Sequence, residues 1–181
     1  MKYLALIPFL ALLACAAEEP VPSTGASAAA SSGPSFASFE LTGDAGKPMT
    51  ILGAKDAAPL DEAVVEGRVW YLVSGFASFK MMDLSLDYCG ELNKEDKCPT
   101  PWDYCCDPPE ERQRHTLVVT FFDEDGKPAR MPKMEGLRLL DHLVVKGKVE
   151  KDEFGNVSIR ATGWQRVQRP ELPDYVRFPK E

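Results

Sequence analysis

The sequence predicts an all-β domain with one short helix, and two observations carry that prediction. Between residues 60 and 169, apolar, β-branched and aromatic residues recur at every second position in five runs. Gly, Asp and Asn clusters separate most of those runs, as turns between strands require.

The first run is Ala63 to Val73 (AVVEGRVWYLV), in which Val65, Gly67, Val69, Tyr71 and Val73 share one face at period two. Gly75 marks a turn, and Phe76 to Leu84 (FASFKMMDL) makes a second strand. His115 to Phe122 (HTLVVTFF) is the third, closed by the turn signal Asp123-Glu124-Asp125-Gly126. Pro132 to Leu140 loses the alternation and is rich enough in Met and Leu for a short helix. Leu143 to Glu150 (LVVKGKVE) alternates again: Leu143, Val145, Gly147 and Val149 point one way, Val144, Lys146, Lys148 and Glu150 the other. A turn at Phe154-Gly155-Asn156 leads into Val157 to Ala161, and the alternation continues toward Val167.

The order strand, strand, strand, short helix, strand, strand, with glycine inside the first and fourth strands, resembles the OB-fold, a small five-stranded closed barrel. The phrases that carry the resemblance are VVEGRVW at the start and LVVKGKVEKDEFGNVSI at the end. Glycine within such strands allows the sharp bend that a small barrel needs. The resemblance covers residues 60–169 and implies a fold, not an activity.

Residues 83 to 111 (DLSLDYCGELNKEDKCPTPWDYCCDPPEE) form an insertion between the second and third strands, with nine acids, two lysines and four prolines. A connection of this length inside a compact domain normally means a function or a covalent staple. CPTPWDYCC, Cys98 to Cys106, resembles a segment of exported bacterial proteins, a resemblance that brings no activity with it. The insertion holds Cys89, Cys98, Cys105 and Cys106, and three chemistries are open to them. Two disulfides would pin the loop, each worth about 2–3 kcal/mol; pairing Cys105 with Cys106 would strain an eight-membered ring, so crossed pairings with Cys89 and Cys98 are expected. Alternatively the thiolates hold zinc, copper as Cu(I) or an iron–sulfur cluster, although the gaps of eight, six and zero residues lack the usual C-x₂-C pair. A redox-active vicinal pair at Cys105-Cys106 is the third. Asp83, Asp87, Asp103 and Asp107 offer carboxylates to a hard cation or simply a solvated acidic loop.

The N-terminus sets the expected address. Met1-Lys2-Tyr3 is a short basic start, Leu4 to Leu13 an apolar run too short to span a bilayer, and Ala14 a small residue before Cys15. Leu12-Leu13-Ala14-Cys15 resembles the lipobox of bacterial lipoproteins. That resemblance implies a signal peptide over 1–14, lipid on Cys15 and stable membrane anchoring through several acyl chains. Residues 15–35 then read as a disordered Ala/Ser/Pro tether, reaching about 25 Å on average. Residues 36–59 are a poorly defined lead-in, and 170–181, with Pro170, Pro173 and Pro179, an extended tail. With Cys15 lipidated, the other four cysteines make an even set, as an oxidising compartment favours.

The net charge of −7 makes general nucleic-acid binding a poor fit, since that relies on many Lys and Arg contacts. His115 and His142 are the only histidines, and neither falls in a triad order or an H-E-x-x-H motif, so no enzyme activity is expected. Lys146, Lys148 and Arg160, with the aromatic rings of Trp164 and Trp70, form a possible ligand face; the alternative is a solvated strand surface with Trp164 as rim packing. Two functions follow as expectations. The first is a non-enzymatic binding or scaffolding module in the cell envelope, without cofactor, holding a protein or glycan. The second is a metal- or redox-handling lipoprotein using the cluster Cys89 to Cys106.

Overall fold

A computed structural model describes residues 35–92 and 98–171. The signal peptide, Cys15, nearly all of the tether and the tail from residue 172 lie outside the described residues. Among the described residues no helix is long and apolar enough to cross a membrane.

Five strands close into a barrel: β1 (Leu60–Leu72), β2 (Ser78–Met82), β3 (Thr116–Phe121), β4 (His142–Lys151) and β5 (Val157–Gln168). Around the barrel the order is β1-β2-β3-β5-β4, with β4 returning to β1. All neighbours are antiparallel except β3 and β5, which run parallel from Val118 opposite Ser158 to Phe121 opposite Ala161. This is the OB-like small barrel that the strand order and the internal glycines predict, and the Cys-rich insertion does fall between β2 and β3. Closure leaves no unpaired sheet edge.

The alternation maps onto the barrel interior. Val65 and Val69 of β1, Leu143, Val145 and Val149 of β4, and Leu117, Val119 and Phe121 of β3 are all buried in one apolar core. Gly147 is required by close approach: a Cβ there would lie 2.8 Å from the Ala161 Cα and closer still to the Arg160 carbonyl oxygen. A register shift between Lys146 and Gly147 brings β5 across at that point.

A second bulge changes the expected pattern. The register of β1 against β2 shifts between Val69 and Tyr71, so the face shared by Val65 and Val69 does not continue to Tyr71, which is exposed. Period two holds only where the ladder is unbroken, and one extra residue turns the later side chains over.

The helix expected over Pro132 to Leu140 does not form. Gly136 and Leu140 both have positive φ, and single turns from Met134 to Leu137 and from Arg138 to Asp141 replace a helical ladder. Met134, Leu137 and Leu140 are still buried, so these residues serve the interior without the helix. Asp141, fully buried, anchors the segment: Arg169 donates to its carboxylate at 2.7 and 2.6 Å, Arg166 lies at 3.3 Å, and the Arg138 backbone N–H donates at 2.9 Å. Two donors, the Arg169 guanidinium and the Arg138 N–H, together with the Arg166 charge compensate the carboxylate that burial would otherwise penalise.

The helical elements lie elsewhere. The lead-in holds a 3₁₀ turn (Phe36–Phe39) and α1 (Ile51–Ala57), and the insertion holds α2 (Cys89–Leu92) and α3 (Pro109–Arg114). The lead-in is therefore part of the folded body, which begins well before residue 60. Phe36 is buried among Phe79, Phe121 and Trp164, and Ile51 and Ala54 of α1 enter the same core. Thr50 caps α1 by accepting from the Gly53 N–H at 3.0 Å, and the Asp83 carboxylate accepts from the Leu52 N–H at 3.1 Å.

Candidate functional site

The expected ligand face divides in two. Lys146, Lys148 and Arg160 do share the outer side of β4 and β5, with Lys148 directly opposite Arg160. Each already has a partner: Lys146 pairs with Glu62 at 3.0 Å, Lys148 with Asp61 at 3.5 Å, and the Arg160 guanidinium stacks 3.6 Å from the Phe122 ring centroid. Trp164 is not on that face. It is 2 % exposed, stacked on Phe36 at 4.8 Å, and its indole N–H donates to the Phe36 carbonyl at 3.1 Å. The β5 alternation breaks at Thr162: β5 takes two residues, Ala161 to Gly163, against the single step from Gly147 to Lys146 on β4, so Trp164 comes opposite the buried Val145 and turns inward.

Trp70 belongs to a different surface. The bulge after Val69 leaves Trp70 half-buried and Tyr71 exposed on the outside of β1. Lys80, at the centre of β2 and opposite Tyr71, reaches over both rings, its ammonium 5.8 Å from the Trp70 centroid and 5.6 Å from that of Tyr71. The same region opens into a cleft of about 480 Å³. Lys80 and Trp70 form one wall, Lys55 of α1 and Arg112 of α3 another, and Gly155 and Asn156 of the β4–β5 turn a third. Among the described residues none of these three cations pairs with a carboxylate. Lys55 donates to the carbonyls of Gln113, Arg114 and Thr116 at 2.8 to 3.1 Å, closing the end of α3. Burial lowers its pKa. Arg112 donates to the Tyr104 and Asp107 carbonyls at 3.3 Å and so ties α3 to the insertion. Lys80 retains only its aromatic contacts.

The insertion is built against Trp70. Asp103 accepts from the Trp70 indole N–H at 3.0 Å and from the Tyr104 N–H at 2.8 Å. The fully buried Tyr104 ring meets Trp70 edge-on at 6.1 Å. Burial drives the Tyr104 phenol far above its usual range, so it stays neutral. The start of α2 is fastened to the same strip: the Cys89 N–H donates to the Asp103 carbonyl and the Gly90 N–H to that of Pro101, both at 2.8 Å.

That pairing brings three cysteines together. The Cys89 Sγ lies 3.4 Å from that of Cys105 and 3.5 Å from that of Cys106. A disulfide requires 2.03–2.05 Å, and all four cysteines of the insertion are free thiols. Neither of the two disulfides expected from the sequence is therefore shown at these separations: Cys89 sits between two sulfurs, and Cys98 keeps to the Thr100 hydroxyl at 3.7 Å. An activated redox thiol is marked by a depressed pKa, and without a metal the shifts here run the other way. Hydrogen bonding to Cys89 pushes Cys105 up to about 12, and the same contact raises Cys106.

The remaining candidates are structural. Asp83 serves α1 and accepts from the Ser85 N–H at 3.0 Å and its hydroxyl at 2.7 Å; Asp103 serves Trp70. Asp87 is exposed and Asp107 half-buried, and among the described residues neither joins a metal-competent group. His115 Nδ1 lies 2.8 Å from the Glu111 carbonyl oxygen, and His142 Nε2 lies 3.2 Å from the Glu66 carboxylate.

No family model matches the chain, and no curated protein matches it. Among solved structures, it is similar to the hypothetical protein ygiW from E. coli, with 15% identity and a TM-score of 0.37 over 70% of this chain and 97% of that one. It is also similar to the aspartyl tRNA synthetase from Entamoeba histolytica, with 12% identity and a TM-score of 0.42; 70% of this chain matches 22% of that enzyme's length.

Proposed function

We propose that this chain is an exported lipoprotein, tethered to a membrane through Cys15, whose barrel is a non-enzymatic module that binds an acidic envelope glycan. The observation that carries the binding reading is Lys80. Its ammonium lies over Trp70 and Tyr71 beside a cleft with two further cations, in a protein whose net charge is −7. Overall negative charge disfavours long-range capture of a polyanion such as nucleic acid. A short saccharide with one or two carboxylates needs only a local cation and an aromatic platform for its apolar ring face. Trp70 is set rigidly for that work by its bond to Asp103 and its contact with Tyr104.

Calorimetry of the folded chain with a carboxylate-bearing muropeptide, and with neutral chitotetraose as control, tests the reading. Binding of the muropeptide is expected to quench tryptophan fluorescence. Lys80→Ala is expected to weaken it about tenfold, equivalent to about 1.4 kcal/mol, and the neutral sugar to bind more weakly than the acidic one. Equal affinity of parent and Lys80→Ala, or preference for the neutral sugar, refutes the site. Fractionation addresses the tether separately: Cys15→Ser is expected to move the protein from the membrane to the free exported fraction.

A further inference from the structure

We infer that Cys89, Cys105 and Cys106 form a zinc site, independent of the glycan reading, in which the metal locks the insertion to the barrel. The three Sγ atoms all lie within 4.8 Å of one another, with Cys89 at 3.4 and 3.5 Å from its two neighbours. Four sulfurs at about 2.3 Å from zinc stand about 3.8 Å apart in a tetrahedron. The thiols of the insertion are therefore too far apart to be bonded and close to the spacing of three corners of such a site. Soft thiolates select zinc over magnesium or calcium, which take oxygen ligands.

The backbone organises this triad before any ion arrives. Cys89 and Gly90 are held to Asp103 and Pro101 by two hydrogen bonds at 2.8 Å. Gly90 is the residue that permits the approach, since a Cβ there would stand 3.1 Å from both the Cβ and the carbonyl oxygen of Pro101. On the other side, the buried Tyr104 and the Asp103–Trp70 bond fix the strip that ends in Cys105 and Cys106. Cys89 is buried while Cys105 and Cys106 are exposed, so the ion reaches the site from solvent and meets one sulfur anchored in the protein. Zinc replaces one proton on each of the three thiols, and the site changes from neutral to a single negative charge. The fourth position is left to water or to Cys98, which is not part of the triad.

The test uses the full chain expressed with its own leader and extracted without chelator. Elemental analysis is expected to give about one zinc per chain. Alkylation followed by peptide mass spectrometry is expected to show Cys89, Cys105 and Cys106 protected until a chelator is added. X-ray absorption at the zinc edge should give a sulfur shell near 2.3 Å. Cys106→Ser, a change at an exposed position, is expected to lose stoichiometric zinc while its far-ultraviolet circular dichroism stays that of the parent. A chain without zinc that carries a Cys89–Cys105 or Cys89–Cys106 disulfide overturns the inference. So does reduced protein that retains less than a tenth of an equivalent after equilibration with zinc, or a Cys106→Ser variant that keeps zinc with an unchanged sulfur shell.

Discussion

Replacing Phe36 with alanine tests whether the segment before residue 60 belongs to the fold. Phe36 is 1 % exposed and packs against four aromatic rings, with centroids at 4.8 Å from Trp164, 5.5 Å from Phe121, 6.2 Å from Phe79 and 6.5 Å from Phe39. Truncating a buried phenylalanine costs about 3–5 kcal/mol through lost transfer energy and the cavity left behind. The upper half of that range applies here, because three of the four rings are themselves fixed on barrel strands and collapse poorly into the gap. The carbonyl that Trp164 uses is retained, since it belongs to the backbone. A loss of about 4 kcal/mol in a domain of this size corresponds to a fall in melting temperature of about 10–15 °C. Urea titration followed by tryptophan emission and by circular dichroism measures it, and the urea midpoint should fall with little change in slope. A loss below about 1 kcal/mol, or a fragment starting at residue 60 as stable as the longer chain, refutes the assignment of residues 36–57 to the core.

Gly147→Ala is expected to cost about 2–3 kcal/mol by overpacking, because the new Cβ meets backbone at Arg160 and Ala161 that has no side chain to swing away. Gly155→Ala, in the open β4–β5 turn at φ 84° with nothing within 4 Å, should cost only about 1 kcal/mol, from backbone strain alone; thermal melts of the two variants separate contact from strain. Asp83→Asn tests the α1 cap. Burial raises the Asp83 pKa, but the hydrogen bonds from Ser85 and Leu52 outweigh it and the net shift is downward. The carboxylate's contribution is therefore present above its unfolded value of about 3.9 and is lost as pH falls through the lower folded value. The parent should melt above the variant at pH 7, with a loss of about 1–3 kcal/mol, and the gap should narrow in acid. A gap that is constant from pH 7 to pH 2 rules out the charge.

What the sequence reveals and what it hides divides along the range of the interactions. Val65, Val69, Leu143, Val145 and Val149 are legible because alternation is a property of one strand and its interior face. Tyr71 is misread because a bulge is a property of two strands, and nothing in VVEGRVWYL marks the extra residue. The same limit explains the basic face. Lys146 and Lys148 look free along β4, but Glu62 and Asp61 arrive from β1 across the barrel closure. Lys80 and Arg112 carry no local signal either; the cleft exists only once β2, α1, α3 and the β4–β5 turn converge. Pro132 to Leu140 has the apolar content of a helix, yet Gly136, Leu140 and the buried Asp141 turn it into a chain of tight turns that supply Met134 and Leu137 to the core. Cysteine count and clustering point to the insertion, but which three of its four sulfurs come together, Cys89, Cys105 and Cys106, depends on a fold that spacing cannot supply.

The described parts of the insertion, residues 83–92 and 98–111, are better understood as a wall of the barrel's outer surface than as a loop attached to it. The insertion's length has to be accounted for, because ordering a long connection costs entropy that surface contacts seldom repay. Here the repayment is concentrated at Trp70. Trp70 stands on the outer face of β1, Asp103 takes its N–H, Tyr104 is buried against its edge, and the Asp103 carbonyl then holds Cys89 beside Cys105 and Cys106. The same ring lies under Lys80 beside the cleft. Each contact restricts the next, so the indole has little freedom to tilt without disturbing the thiol triad. The proposed glycan platform and the proposed zinc site therefore share one joint while using different atoms of it. A change confined to the sulfurs leaves Lys80 and the ring face in place, and a change at Lys80 leaves the sulfurs untouched. Trp70, Asp103 and Tyr104 act on both, and this is what makes the insertion a built part of the domain.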